Sequence, residues 1–491
     1  MELNFSTPLV VIASLTFIID WVIRIALLLY VPRGRKPTAA MSWLLAIFIL
    51  PGLGIILFLI IGSTKLSKGR RARQHTVNTI IESLAKPEIE AIDALSAQAQ
   101  ERYKPLIDLC QAFGKLPLRS GNSMHFLTDY NDAILDITKR LRAAKHYVYI
   151  EYYIIALDET TQPFFAALEE AAGRGVQIYV LFDTFGSRKY KNYALMKQEL
   201  TRIGVAWRAM LPLRLRIGQY NRPDLRNHRK IVVIDDDFAY IGSQNLIEET
   251  YERKDRISYD EFVVRMTGPV VGQCAAVFAG DWYSETGERL HEFTHLQRSL
   301  KAPKKVHAGV LAQVLPSGSG YQYENNLKLF VALMYTARKS IVITNPYFVP
   351  DEALLTAVIS AVKRGVSVTL INSEAMDQWM VGHAQRSYYR ELLQAGVQIY
   401  LYKAPKLLHS KHITIDDDIA VIGSSNMDIR SFELNSECVV VCYDKPTVTK
   451  LKKQQAIDLA KSKRISLKAW EKRGVRKELL DNIARLTAAL Q

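Results

Sequence analysis

One stretch of this sequence occurs twice, and it holds residue types suited to chemistry at a phosphate. Residues 227–245 and 408–426 each read His-x-Lys, four residues, Asp, six residues, Gly-Ser-x-Asn. The matching positions are His228, Lys230, Asp235, Gly242, Ser243 and Asn245, then His409, Lys411, Asp416, Gly423, Ser424 and Asn426. Imidazole can act as nucleophile or acid near neutral pH, and lysine can offset negative charge. Two such copies around one anion predict a phosphate site.

Each copy is predicted to form a β-hairpin. Because strand side chains alternate faces, His228 and Lys230 should point to the same side of an apolar strand, which a turn-prone Asp-Asp-Asp run ends. A turn centred on Asp236 places residue 228 opposite residue 244. This brings Ser243 and Asn245 back beside the histidine and lysine, and the second copy repeats the arrangement.

Four acids are predicted to support the two copies. Asp235 lies seven positions from His228, an odd offset, so we expect it to brace the turn rather than contact the imidazole, and Asp416 is its counterpart. Glu261 and Glu437 each open an alternating strand after a hairpin. They are candidates to accept a hydrogen bond from the far ring nitrogen of a histidine, the alternative being solvated acids at strand ends.

A larger repeat predicts the fold. Residues 145–183 and 339–373 each read as a β-branched and aromatic strand, an amphipathic helix, an Arg-Gly turn and another apolar strand. Strand, helix, strand is the crossover unit of a parallel or mixed sheet covered by helices. The sequence therefore predicts an α/β protein with two pseudo-symmetric halves, each a mixed sheet flanked by helices. Residues 301–320 are expected to join them.

Two apolar segments precede the halves. Residues 8–31 and 41–62 are each long enough to cross a bilayer and predict a transmembrane helix pair. Asp20 and Arg24 stand four apart in the first segment, where they can neutralise each other on one helix face. The Pro-Gly pair at 51–52 leaves open a kink or a re-entrant hairpin in the second segment.

The predicted domains are 1–65 with the membrane helices, 66–120 as a helical connector, 121–300 as the first half, and 301–491 as the second half with a basic helical tail. Lys and Arg number 64 against 49 acids, a net charge of +15. That balance suits a polyanionic partner, either anionic lipid or nucleic acid, or simply a soluble surface. The tail has the same two interpretations, a solvated face or contact with anionic headgroups.

The basic residues beside the apolar segments bear on the orientation of the chain in the membrane. If the two apolar segments both cross the membrane, the basic clusters at 33–36 and 65–73 lie on opposite sides of it, and the larger cluster favours a cytoplasmic catalytic part.

The cysteines lack C-x-x-C spacing and predict free thiols, with neither a disulfide framework nor a zinc site. They are Cys110, Cys274, Cys438 and Cys442.

The doubled motif resembles the phospholipase D superfamily, whose two HKD motifs meet at one site between pseudo-symmetric halves. Further stretches are similar to bacterial cardiolipin synthases: KPTAAMSWLLAIFILPGLGIILFLIIG, IEYYII, TNPYFVPDE and LPLRLRIGQYNRPDLRNHRK. The resemblance covers nearly the whole chain. It implies a multi-pass enzyme of the bacterial inner membrane whose catalytic residues include both histidines, both lysines and both motif aspartates.

The resemblance also implies a reaction. One histidine attacks the phosphorus of phosphatidylglycerol, the other protonates the leaving glycerol, and a second phosphatidylglycerol accepts the phosphatidyl group to give cardiolipin. By analogy, His228 is expected to be the nucleophile and His409 the acid. Lys230 and Lys411 would hold phosphate oxygens, with Asn245 and Asn426 as further donors, so no metal or cofactor is expected.

Two other functions share parts of this pattern. The same residues could pass the phosphatidyl group to water or another alcohol, as a membrane-bound phospholipase D or phosphodiesterase does. A membrane-tethered binding protein with an inactive site is the third possibility. The apolar segments favour lipid over nucleic acid as the substrate, while the acceptor, the side of the membrane and the oligomeric state stay open.

Overall fold

The computed structural model describes residues 6–93, 95–213, 220–252, 257–290, 300 and 307–488. Two compact units divide the chain, residues 1–65 and 66–491. The α-helices of the described residues are Ser6–Tyr30, Pro37–Ile49, Leu53–Ile61, Lys68–Leu84, Ile89–Asp93, Ala97–Gly114, Tyr130–Ala143, Gln162–Gly173, Thr184–Arg188, Tyr193–Ile203, Val270–Thr286, Asn325–Thr336, Glu352–Lys363, Trp379–Ala395, Ile429–Glu433, Lys445–Ala460, Leu467–Glu471 and Val475–Leu486. The strands are β1 (Arg119–Leu127), β2 (Tyr147–Tyr152), β3 (Gln177–Asp183), β4 (Ala206–Met210), β5 (Ile231–Ile234), β6 (Phe238–Gly242), β7 (Ser258–Asp260), β8 (Val263–Thr267), β9 (Val310–Ser317), β10 (Ser340–Thr344), β11 (Phe348–Val349), β12 (Ser367–Ser373), β13 (Gln398–Tyr402), β14 (Lys406–Leu408), β15 (His412–Ile415), β16 (Ile419–Gly423), β17 (Met427–Asp428), β18 (Glu437–Tyr443) and β19 (Ser462–Ile465).

The N-terminal unit has one helix that is long and apolar enough to cross a membrane within the described residues, Val10–Tyr30. Asp20 and Arg24 form the expected ion pair on it, at 2.7 Å. The pairing matters because two opposite charges in an apolar segment are tolerated best when they neutralise each other.

The prediction of a second spanning helix over 41–62 is wrong. That segment forms two short helices, Pro37–Ile49 and Leu53–Ile61, separated at Gly52, which has φ +74°. The rings of Trp43 and Phe58 lie 5.5 Å apart, whereas fifteen residues of continuous helix would separate them by about 22 Å. The chain therefore reverses, and each arm is too short to cross the roughly 30 Å apolar core of a bilayer.

Close backbone contact holds this helical hairpin together. A Cβ added at Gly54 would lie 2.4 Å from the Ala46 carbonyl oxygen, so only glycine lets the two arms approach this closely. At the open end, Arg35 donates from Nη1 to the carbonyl of Val31 and from Nε to that of Gly62. Residues 31–36 and 62 therefore lie at the same end of the hairpin.

The second unit is built on one continuous sheet of 15 strands. Its order is β19-β13-β12-β10-β15-β16-β18-β9-β1-β8-β6-β5-β2-β3-β4. Apart from β19, the strands form two sets in the same order, β13-β12-β10-β15-β16-β18-β9 and β4-β3-β2-β5-β6-β8-β1. In each set the first three strands are parallel and the others antiparallel. The predicted α/β class, mixed sheets and duplicated halves are therefore observed.

The two sets meet where β1 pairs with β9 in antiparallel orientation. Residues 310–317 are this β9, so the middle of the expected linker is a central strand, and residues 301–306 lie outside the described part. The alternating pattern of VLAQVLPS fits a strand, and its burial between β1 and β18 explains why it is ordered. The sheet thus runs through both halves without a break.

The hairpins have the predicted register. In the first, Ile231 pairs with Ile241 and Ile234 with Phe238, a turn centred on Asp236. In the second, His412 pairs with Ile422, which centres the turn on Asp417. Their strands are almost wholly buried, because helices cover both faces of the sheet.

Two expected helical regions contain more than helices. The connector at 66–120 ends in β1, and its helix Lys68–Leu84 packs Val77 and Ile81 into the core under the first half. The basic tail contains β19, which pairs antiparallel with β13 and covers the edge of the sheet. The strand forms there because an open edge offers unpaired backbone groups.

Candidate active site

The two motif histidines, His228 and His409, lie in extended segments shortly before the hairpin strands. His228 precedes β5 and His409 precedes β15, so the expectation that they lie inside those strands is wrong by a few residues. The reason is that each segment pairs with the other half instead. The His228 N–H donates to the Ser436 carbonyl at 2.8 Å, and the His409 N–H donates to the Asp260 carbonyl at 2.8 Å.

Each imidazole is then paired with a glutamate of the opposite half. Nδ1 of His228 lies 2.9 Å from Oε1 of Glu437, and Nδ1 of His409 lies 2.8 Å from Oε1 of Glu261. All four side chains are buried. A carboxylate at Nδ1 fixes the ring orientation and leaves Nε2 to face a reactant. The structure thus makes the histidine–glutamate contacts that the sequence suggested, and makes them across the two halves.

The lysines share this buried environment. Lys230 and Lys411 donate from Nζ to the carbonyl oxygens of His228 and His409, their own motif histidines. Burial lowers the pKa of Lys230 to about 7 and that of Lys411 to about 8, although Glu261 and Glu437 oppose the effect. An ammonium group that is costly to bury gains most when an anion arrives beside it.

The motif glycines and serines contact β18, which begins at Glu437, and the segment between Glu261 and β8. A Cβ on Gly242 would lie 2.3 Å from the Phe262 carbonyl oxygen, and one on Gly423 at 2.3 Å from that of Cys438. Glycine is therefore required for close approach of β8 and β18. Ser424 donates from Oγ to Glu437, and so helps to orient that carboxylate.

Asp235 does not contact an imidazole. Its carboxylate accepts backbone N–H bonds from Lys145, His146 and Tyr147 at 2.8 to 2.9 Å, at the start of β2. Asp416 does the same for residues 338–340 at the start of β10, and also accepts from Arg102. Both aspartates have a left-handed φ of 52°. These acids therefore lock each hairpin turn onto the neighbouring strand.

This geometry predicts that the motif aspartates affect folding more than chemistry. Asp235→Asn keeps a side chain that tolerates positive φ but loses the charge on which three N–H groups converge. We expect a loss of about 1–3 kcal/mol in the free energy of unfolding, since charge-assisted hydrogen bonds are weakened. Thermal or urea unfolding measures it, with exposed Asp237→Asn as the matched control. Full stability combined with lost turnover would contradict this role.

The two asparagines differ in their surroundings. Asn245 accepts from the Ile154 N–H at 3.3 Å and donates to the Tyr251 hydroxyl at 3.3 Å. Since an amide carries two N–H hydrogens, its Nδ2 keeps one donor. Oδ1 of Asn426 is buried without a hydrogen-bond partner in the described residues.

Further residues surround the histidines. Arg229 is fully buried, paired with Asp281, and donates to the carbonyls of Glu437 and Ser317. The rings of Tyr259 and Tyr347 lie 5.3 and 6.3 Å from His409, and both hydroxyls donate to Asp377. Asp377 follows β12 by four residues, and nothing in its local sequence singles it out.

Comparison with known proteins now identifies the family. A family model described as "Cardiolipin synthase, PLD-like domain" matches residues 137–282 and 330–457, one match in each half. The curated "Cardiolipin synthase" of Alkalihalophilus pseudofirmus is 32% identical over 464 residues, covering 93% of this chain and 90% of that protein. The chain belongs to the cardiolipin synthase family.

One further relative agrees with that assignment, and one solved structure shows the same fold. "Cardiolipin synthase A" of Proteus mirabilis is 32% identical over 483 residues, which covers 96% of this chain and 97% of that cardiolipin synthase. The crystal structure of phosphatidylserine synthase from Haemophilus influenzae shares the fold, with a TM-score of 0.58 at 14% identity over 79% of this chain and 98% of that one. The expected enzyme class, a phosphatidyltransferase of the phospholipase D type, is confirmed.

In this member of the cardiolipin synthase family the two halves are not electrostatically equal. The pKa of Glu437 is raised to about 8, mainly by burial and in smaller part by nearby Asp428, against the opposing effects of Lys230, Ser424 and Lys411. Burial also raises the pKa of Glu261, but His409 and Lys411 outweigh it and the net pKa is lowered. One sequence difference contributes, because Asp428 stands two residues after Asn426, whereas Ile247 stands two residues after Asn245.

The pKa values of the two histidines also differ between the halves. Burial, followed by the positive charges of Lys230 and Lys411, lowers the pKa of His228 well below its ordinary value. Burial also lowers the pKa of His409, but the ionised Glu261 opposes that shift. The imidazole of His228 therefore loses its proton at lower pH than that of His409, so His409 is the better able to carry a proton.

Proposed function

We propose that this chain transfers a phosphatidyl group between two phosphatidylglycerol molecules, giving cardiolipin and glycerol through a phosphatidyl-histidine intermediate. The observation that carries the proposal is the crossed pairing of His228 with Glu437 and of His409 with Glu261. Because each pair needs both halves, two imidazoles and two lysines share one buried site. Phospholipid is the substrate class that the family indicates, and phosphatidylglycerol is the specific donor and acceptor proposed here.

The first step makes a covalent intermediate. Nε2 of His228 attacks the phosphorus, the bond from phosphorus to the glycerol headgroup oxygen breaks, and His409 gives its proton to that oxygen. In the second step a hydroxyl of another phosphatidylglycerol attacks the phosphorus, His409 takes its proton, and the phosphorus–nitrogen bond breaks. The two histidines return to their starting protonation states. Because one phosphodiester and one alcohol are exchanged for another phosphodiester and another alcohol, the exchange is proposed to be reversible.

The asymmetry of the halves supports the proposed role of each histidine. A nucleophile must be neutral, which suits His228, and a general acid must hold a proton, which the ionised Glu261 favours on His409. The lysine ammonium groups are proposed to bind the non-bridging phosphate oxygens and offset charge in the transition state. Nδ2 of Asn245 and the amide of Asn426 supply further donors.

The N-terminal unit is the proposed membrane anchor. We propose that the protein is held in the bacterial inner membrane by the helix Val10–Tyr30, with the hairpin of residues 37–61 inserted part-way. Since residues 31–36 and 62 lie at one end of the hairpin, the basic groups at 33–36 and Lys65 belong to the same side of the membrane. By the positive-inside rule that side is cytoplasmic, and the chain continues from it into the catalytic unit.

We also propose domain limits within the catalytic unit, with a helical connector at 66–120, a first half at 121–300 and a second half at 301–491. The matching strand orders of the two sets support this division.

A lipid assay tests the proposed reaction. Purified full-length protein incubated with headgroup-labelled phosphatidylglycerol should release glycerol and form cardiolipin in equal amounts. Phosphatidic acid as the main product would show that the enzyme transfers the phosphatidyl group to water instead. The absence of any product would contradict the proposed enzymatic activity. Feeding cardiolipin plus glycerol should regenerate phosphatidylglycerol, which checks that the exchange runs both ways.

A further inference from the structure

The C-terminal helix Val475–Leu486 presents its apolar side to solvent. Val475, Leu479, Ile483 and Leu486 are 81%, 59%, 50% and 86% exposed, and their spacing of four, four and three residues forms one stripe. A surface helix normally turns its apolar stripe to the core and its charged side to water. This helix has the opposite arrangement, so the stripe needs a partner.

The other side of the helix is fixed to the protein. Asp481 is buried, and its carboxylate oxygens lie 2.6 Å from Nδ1 of His383 and 2.8 Å from a guanidinium nitrogen of Arg473. Ala484 is buried beside it. Because this face is held by buried ionic and apolar contacts, the exposed stripe belongs to a seated helix and not to a frayed end.

The helix on which it rests leads to the candidate active site. His383 belongs to Trp379–Ala395, and the ring of Trp379, 58% exposed, lies 4.4 Å from that imidazole. Two residues before Trp379, Asp377 accepts hydrogen bonds from Tyr259 and Tyr347, the tyrosines that flank His409. The exposed tryptophan and the apolar stripe therefore sit on elements that directly contact the surroundings of His409.

The neighbouring chain is strongly basic. Residues 461–477 contain eight Lys or Arg residues and a single acid, Glu471. They are Lys461, Lys463, Arg464, Lys468, Lys472, Arg473, Arg476 and Lys477. Apolar side chains bordered by exposed cations are the pattern of a helix that lies in the interface of an anionic bilayer, where the stripe enters the acyl boundary and the cations meet headgroups.

We propose that the helix Val475–Leu486, together with Trp379, docks the catalytic unit on the surface of an anionic phospholipid bilayer. This contact goes beyond the reaction proposed above and does not depend on it. Its consequence is that the His409 side of the site faces the lipid layer from which substrate is drawn.

Spin labels test the contact without reference to turnover. The full-length protein, whose four cysteines are buried, is labelled at Leu479→Cys, with exposed Leu135→Cys as the matched control. In nanodiscs containing phosphatidylglycerol, the label at 479 should become more accessible to oxygen and less accessible to a water-soluble nickel chelate. The label at 135 should stay in water. Equal accessibility at both positions overturns the proposal.

Distances between labels distinguish the main competing occupant. If two labels at position 479 approach each other in detergent micelles, a second copy of the chain covers the stripe and the bilayer proposal fails. A broad or absent dipolar signal, together with lipid burial in nanodiscs, supports it.

Kinetics supply a second test. In Leu479→Ser/Ile483→Ser/Leu486→Ser, the apparent KM for phosphatidylglycerol in vesicles should rise about tenfold, because interfacial binding loses apolar area. The kcat on short-chain substrate in detergent should be unchanged, as should the thermal midpoint, and Leu135→Ser should change neither. An unchanged KM in vesicles counts against docking.

Discussion

His228→Ala and His409→Ala should each lower turnover of phosphatidylglycerol by about five powers of ten or more, because removing one member of a nucleophile–acid pair disables the whole unit. The two variants should nevertheless fail at different steps. Without His228 no covalent intermediate can form. Without His409 the nucleophile is intact, but glycerol cannot leave without a proton.

A substrate with a good leaving group separates the two failures. With phosphatidyl-p-nitrophenol, which needs no proton to leave, His409→Ala should release one equivalent of nitrophenol and retain a phosphatidylated peptide containing residue 228. His228→Ala should show neither the burst nor the adduct. Isolation of an adduct on a peptide containing residue 409 would reverse the assigned roles. Exposed His307, changed to alanine, is the control for nonspecific loss.

Lys230→Met and Lys411→Met should each lower kcat/KM by about two to three powers of ten, the usual cost of removing one group that stabilises transition-state charge. Methionine nearly preserves the volume and the apolar stem, so the lost charge is isolated. Lys104→Met, at an exposed lysine, should have no effect. Wild-type activity in either site variant would show that the buried ammonium groups do not bind the phosphate.

The same lysines set the alkaline limit of activity. Their pKa values are lowered to about 7 and about 8, so in the free enzyme the charged form is lost as pH rises through this range. Since the charged form is the useful one, kcat/KM should begin to fall above about pH 7, where Lys230 loses its proton, and fall more steeply above about pH 8. Lys230→Arg keeps its charge to much higher pH, so the start of its alkaline limb should move up to about pH 8, where Lys411 becomes limiting, even if the maximum is lower.

The sequence allowed the local parts of this structure to be predicted. The hairpin registers around Asp236 and Asp417 follow from strand alternation and a turn-prone run, both of which act over a few residues. The repeated strand–helix–strand units follow from periodicity for the same reason. The free cysteines and the pair of Asp20 with Arg24 were likewise predictable.

The missed features depend on contacts between distant segments. His228 and Glu437 are 209 residues apart, and His409 and Glu261 are 148 apart, so no local pattern states which glutamate serves which histidine. The halves are joined by the pairing of β1 with β9 and, directly beside the histidines, by that of β14 with β7 and of Asn227 with Ser436. The buried pair of Arg229 and Asp281 likewise joins residues that are 52 positions apart.

The reversal at Gly52 has a different origin. The length and composition of residues 41–62 suit a spanning helix. The Pro-Gly pair at 51–52 is the local signal for a break, and by itself it leaves open a kink or a hairpin. The close approach of Gly54 to Ala46 settles it as a hairpin.

The crossed histidine–glutamate pairs bear on how such a protein could have originated. A polypeptide with only one half would carry an imidazole and a carboxylate that cannot reach each other, since each finds its partner across the β1–β9 seam. Two identical copies associating about a twofold axis at that seam would supply both pairs at once. A homodimeric ancestor with its site on the symmetry axis, later fused by gene duplication, would account for the arrangement.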